Sequence, residues 1–272
     1  IAAGERGFPL SAEGLSAEGL PPGGLDPLVG RRQELTTLHA RWDRALDGHG
    51  GAVLLEGPIG SGRSRLAREV ALAARGEGRL VLTGVPGTLP VPLEPLRTAL
   101  DHHLRTLAGL AEQAREDAVR RILEAAGEAR VLLAEVSPAL ARVLTGHDPP
   151  GEGPDRPRPD EPRPGTGGTP PGAELPTPDR PLDEALAGFL VALAEQYGGG
   201  VLVLDDLDRA DAATRQVIRR LAPLLPGSRL LLVVTGADTD AVQQTWDDLG
   251  FALDLRMPVG PLDESAVTDL VA

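Results

Sequence analysis

The chain has 272 residues, 41% of them hydrophobic, and a formal net charge of −13. That is enough apolar material for a buried core, and so acidic a balance argues against a nucleic-acid backbone or an anionic membrane surface as a direct partner of this segment. No cysteine is present, which excludes a disulfide framework and a thiolate zinc site, and no apolar run nears the roughly 20 residues that cross a bilayer. A soluble, cytoplasmic α/β protein is expected, since Phe 3, Trp 2 and Tyr 1 leave the core to Leu, Val and Ala, a composition suited to helices packed on a parallel sheet. All basic residues are Arg, with no Lys or Asn, a bias typical of GC-rich bacterial codon usage.

The opening IAAGERGF lacks Met, a basic n-region and an apolar signal core, so a fragment of a longer protein is expected. Residues 1–26, rich in Gly, Pro, Ser and Ala, read as a flexible lead-in. From Arg31 to Asp47 the residues Leu35, Leu38, Trp42, Ala45 and Leu46 fall at helical spacing, with Gly48 as a stop. Ala52–Glu56 is a short apolar run between glycines, followed by helical character over Leu66–Ala74, giving strand, glycine loop, helix. Arg79–Thr83 reads as a second buried strand, and Leu93–Leu144 as two or three helices broken near Gly109, Gly127 and Pro138.

Residues 147–181 are dominated by Pro, Gly, Asp, Glu and Arg and read as a disordered linker, because they hold too little apolar surface to bury. A helix over Pro181–Tyr197, a strand over Val201–Asp205, a helix after Asp211 and a strand ending at Thr235 restore the alternation that demands a parallel sheet. A helix over Asp240–Leu249, a short strand near Ala252–Leu255 and a helix starting near Leu262 follow. The expected organisation is a lead-in over 1–26, an α/β domain in two parts over 27–146 and 182–272, truncated at its C-terminus, and the linker between them.

Chemistry concentrates in two places. Gly57, Pro58, Ile59, Gly60, Ser61, Gly62, Arg63 and Ser64 match the phosphate-loop pattern GxxxxGK[ST] except that Arg63 replaces lysine. Glycines let the backbone wrap a phosphate group, amides at the helix start donate to its oxygens, and the Ser64 hydroxyl is placed to hold magnesium. The second is the strand that ends in Asp205 followed by Asp206: Asp205 is assigned to the metal and Asp206 to the base that polarises water. Thr235, at the end of the next apolar strand, is a candidate for contact with the γ-phosphate or the attacking water. His39, His49, His102, His103 and His147 lack metal-ligand spacing, and the proline-rich charge run 155–163 reads as a solvated spacer.

LVGRRQEL (Leu28–Leu35), LLEGPIGSGRSRL (Leu54–Leu66), VLVLDDLDRAD (Val201–Asp211) and LLLVVTG (Leu230–Gly236) resemble the AAA and STAND P-loop ATPases. More narrowly they are similar to the origin-recognition-like AAA module of large bacterial signalling ATPases, including LuxR-type regulators and kinase-linked ATPases. The resemblance covers Leu28–Ala272 and implies a three-layer P-loop NTPase fold with a helical insert, binding ATP with Mg. It further implies that Val29, Gly30 and Arg31 contact the adenine base through backbone, and that Arg65 belongs to the nucleotide-binding loop. Relatives usually read LDDLHWAD and end the sensor strand in TYR; here Asp208 and Arg209 replace His and Trp, and Gly236 and Ala237 follow Thr235. With Arg63, these departures point toward weak or slow hydrolysis.

The resemblance thus implies an ATP-binding regulatory module coupled to effector domains of the same polypeptide or to partner proteins, with nucleotide-dependent oligomerisation among its states. The sequence leaves two rivals open: a degenerate, non-catalytic scaffold for protein interaction, and a transcription regulator whose DNA contacts lie outside these residues.

Overall fold

Five parallel strands in the spatial order β2-β3-β4-β1-β5 form the centre of the computed structural model, which describes residues 30–87, 91–146, 181–239, 246 and 253–261. The strands are β1 (Gly51–Gly57), β2 (Leu80–Gly84), β3 (Gly200–Leu204), β4 (Leu230–Ala237) and β5 (Leu255–Pro258). The helices are α1 (Arg32–Leu46), α2 (Arg63–Gly76), α3 (Glu94–Ala108), α4 (Glu112–Ala126), α5 (Arg130–Leu133), α6 (Pro138–Thr145), α7 (Leu182–Gln196) and α8 (Ala212–Leu221). This is the α/β architecture expected from the alternation. The sheet lies in one unit, Gln33–Leu262, and outside it only Gly30, Arg31 and Arg32 are described.

Every residue of β1 and β3 is buried, as parallel strands covered on both faces require. Side chains alternate across the sheet, so Ala52, Leu54, Leu82, Leu202, Leu204, Leu232 and Val234 share one face and one core with the buried sides of α3, α4, α7 and α8. Helix α2 packs on β1 through β4 with Leu66, Ala67, Val70, Ala71 and Ala74 buried, residues absent from that shared core, which places α2 on the opposite face. Each large apolar side chain withdrawn from water contributes roughly 1.5–3 kcal/mol. Helix α1 buries Leu38, Trp42 and Ala45, the stripe its spacing predicted.

Three expectations shift. The region 93–144 forms four helices rather than two or three, its breaks falling near Gly109, Gly127 and Pro138 as expected, because the short α5 between the 3-10 turn Gly127–Ala129 and the Ser137 cap is a helix of its own. Strand β4 continues past Thr235 to Ala237, held by pairing of Gly236 with Glu56 and of Ala237 with Gly57. The last strand is Leu255–Pro258 rather than 252–255, fixed by the register of Val53 against Leu255. The lead-in, the 147–180 segment, the helix near 240–249 apart from Trp246, and the helix from Leu262 lie outside the described residues. Among the described residues no helix is long and apolar enough to cross a membrane.

Candidate functional site

Strand β1 ends at Gly57 and α2 begins at Arg63, so Pro58 through Gly62 make the connection. Gly60 and Gly62 sit at φ 84° and 96°, a left-handed region that costs other residues about 1–2 kcal/mol. Gly57 is required by crowding instead, since a Cβ there would lie 2.3 Å from the Val259 carbonyl oxygen. The Ser61 amide donates to the Pro58 carbonyl at 3.1 Å, closing the turn. Ile59 stands at the exposed tip, 94% accessible. Gly62 caps α2 without a side chain, and the first turn carries no acidic residue, so the positive pole of this helix end is not neutralised by its own first turn.

Sheet order delivers the acidic strand to this loop. Strand β4 lies between β1 and β3, so Thr235 falls between the loop and the carboxylates at the end of β3. The Ser64 hydroxyl donates to Asp205 Oδ1 at 2.9 Å, and the Thr235 hydroxyl donates to the same oxygen. Thr235 is fully buried, and its oxygen also accepts the Asp206 amide at 3.0 Å. Asp206 is held in the left-handed region at φ 46°, which Asp tolerates better than most residues. Burial pushes the Asp206 carboxyl above the usual carboxylate range, reinforced by the charges of Asp205 and Asp208 and opposed by Arg63 and Arg209.

Arg63 is buried, 8% exposed. Its Nη2 lies 3.9 Å from Asp206 Oδ1, while Nη1 is enclosed without a hydrogen-bond partner. A buried guanidinium nitrogen left unpaired costs about 1–3 kcal/mol, which an oxyanion in the loop would relieve. Magnesium fits the donor set: Ser64 and Asp205 offer hard oxygens 2.9 Å apart, and neighbouring ligands of an octahedral ion at its usual bond length also stand about 2.9 Å apart.

A model of the family described as the AAA ATPase domain matches residues 27–234. The chain belongs to this AAA ATPase family. A protein of Rhizobium meliloti (strain 1021) described as uncharacterized is 36% identical over 85 residues, which cover 30% of this chain and 8% of that protein. Among solved structures, Cdc6p from Pyrobaculum aerophilum matches at 16% identity and a TM-score of 0.49, over 93% of this chain and 51% of that one. A Walker-type ATPase of Pyrococcus abyssi matches at 11% identity and a TM-score of 0.48, over 89% of this chain and 56% of that one. The Aeropyrum pernix Orc1 protein, solved in complex with DNA, matches at 16% identity and a TM-score of 0.44, over 93% and 50%. The chain thus spans about half the length of these solved structures, and the matched stretch a small part of the Rhizobium protein.

Within the AAA domain the structure brings Gly57, Gly60, Gly62, Arg63, Ser64, Asp205, Asp206 and Thr235 to one end of the sheet. Arg65 turns along α2 to pair with Glu69 at 2.8 Å. Gly30 takes φ 73° before α1 and Arg31 is buried, whereas Val29 lies outside the described residues. Two supports escaped sequence reasoning. Asp211 caps α8 by accepting the Thr214 amide at 2.9 Å, and also accepts the Leu93 amide at 3.1 Å; the Asp211-to-Thr214 spacing was a readable helix-start signal. Glu56, the residue before the loop, pairs with Arg256 of β5 at 2.7 Å, a contact across 200 residues with no local signature.

Proposed function

We propose that this AAA domain is an ATP-binding regulatory module whose nucleotide state is passed to effector regions of a larger bacterial signalling or transcription-regulatory protein, with slow hydrolysis. The observation that carries the reading is Asp205 Oδ1 receiving both the Ser64 and the Thr235 hydroxyls beside a buried Arg63 with an unpaired nitrogen. The loop amides and Arg63 hold phosphate oxygens, and Ser64 and Asp205 hold magnesium. When bound, the ion offsets charge on the phosphate oxygens. Asp206 orients the water, and Thr235, buried between the two aspartates, fixes their positions and so relays the presence of a terminal phosphate. Val29, Gly30 and Arg31 serve the adenine through backbone.

Slow turnover follows from Arg63. A planar fork cannot replace a compact ammonium without displacing something, and here it lies toward Asp206, the group that would act on water. The same contact favours the second reading, a scaffold that keeps the fold and has lost turnover. Phosphate release measured on the wild type and on Arg63→Lys tests the proposal. Slow wild-type release that lysine accelerates supports it; zero release from both proteins, with no nucleotide retained by either, leaves the scaffold.

A further inference from the structure

We propose, resting on the nucleotide-binding reading above, that Asp206 acts toward Arg63 as a built-in substitute for a terminal phosphate, so that the site takes nucleoside diphosphates in preference to triphosphates. A guanidinium presents its donors along fixed edges of a plane, unlike the mobile ammonium of lysine. In Arg63 the two terminal nitrogens are inequivalent: Nη2 stands 3.9 Å from Asp206 Oδ1, and Nη1 is buried and unpaired. One edge therefore already faces an anion, while the other carries an enclosed donor without a partner.

The backbone of Asp206 is held on both sides. Its amide is fixed on Thr235 at 3.0 Å, and its carbonyl accepts the Arg209 amide at 2.9 Å as the 3-10 turn Leu207–Arg209 begins. A diphosphate needs only the loop amides and the hydroxyl of Ser64, and leaves Nη2 of Arg63 to Asp206. A third phosphate would compete with Asp206 for Nη2 and bring its charge against the Asp206 carboxylate. Juxtaposing like charges in a partly desolvated site is one way that a protein rejects a ligand.

Calorimetric titration of the whole chain with magnesium ADP, magnesium ATP and a non-hydrolysable ATP analogue tests this. The wild type is expected to bind the diphosphate on the order of tenfold more tightly than either triphosphate. Asp206→Asn is expected to narrow that ratio to about threefold or less by strengthening triphosphate binding. A wild type that binds triphosphate as tightly as diphosphate overturns the inference without recourse to any variant. So does an Asp206→Asn or Asp206→Ser protein that melts cooperatively and keeps the wild-type ratio. A folded wild type that binds none of the three overturns the nucleotide-binding reading itself, a distinct result.

Discussion

Ser64 and Asp205 stand 141 residues apart in the chain, yet the hydroxyl of one donates to the carboxylate of the other at 2.9 Å. This bond joins the first turn of α2 to the end of β3 across the intervening strand β4. If the pair holds magnesium, its effect should be separable from folding. Ser64→Ala and Asp205→Asn are expected to retain a cooperative melt and to lose the strengthening of nucleotide binding by magnesium, on the order of tenfold. Titrations in magnesium and in EDTA check this, and equal magnesium dependence in wild type and variants contradicts the assignment.

Thr235 supports both aspartates from a fully buried position. Thr235→Val keeps the shape and deletes the hydroxyl, leaving a carboxylate oxygen and an amide each short of a partner. A loss of about 1–3 kcal/mol in urea unfolding is expected, with Thr235→Ser near wild type. A Val variant as stable as wild type would show that these bonds contribute nothing.

How much of this was legible depended on whether the determinant was local. Strands β1, β3 and β4 announce themselves as apolar runs bounded by glycine or charge, and the loop by its glycines. Strand β5 buries only Met257, between exposed Arg256 and Pro258, so its pattern is weak and its bounds shift by a few residues. Over 93–144 the breaks at Gly109, Gly127 and Pro138 were legible, and what escaped was that the four residues Arg130–Leu133 form a separate helix. The contact of Arg63 with Asp206, the three-way Asp205 cluster and the Glu56 pair with Arg256 exist only once the strand order is fixed. That order is a tertiary outcome.

Asp211 ties two helix starts together. Asp211→Ala removes the cap of α8 and the acceptor for Leu93, a residue at φ 60°. Destabilisation of about 1–2 kcal/mol is expected. Amide exchange should quicken at both Leu93 and Thr214; faster exchange at Thr214 alone would argue against the bridge.

His103 gives the fold a pH dependence. Burial, with the charges of His102 and Arg75, lowers it from 6.5 to about 4. Its Nε2 and the Tyr197 hydroxyl share a hydrogen bond at 3.3 Å, the ring edge-on to a phenol that also carries the Arg121 guanidinium on its face. Because the folded value is the lower one, the unfolded chain binds the extra proton between about pH 6.5 and 4. Stability is full above that window and falls as pH drops through it, by on the order of 3 kcal/mol. Thermal melts of wild type and His103→Gln at pH 7.5, 5.5 and 4.5 should show a steeper decline in the wild type, whereas parallel declines refute the assignment.

The central claim is that Gly57–Ser64 is a working nucleotide site despite Arg63. Equilibrium titration of the folded chain with a fluorescent adenine nucleotide and magnesium tests it most directly, with Gly62→Ala as the altered loop. Saturable one-to-one binding, displaced by unlabelled nucleotide and lost in the Gly62 variant, is the predicted result. A cooperatively folded wild type that shows no saturable binding, or binds no better than the Gly62 variant, contradicts it.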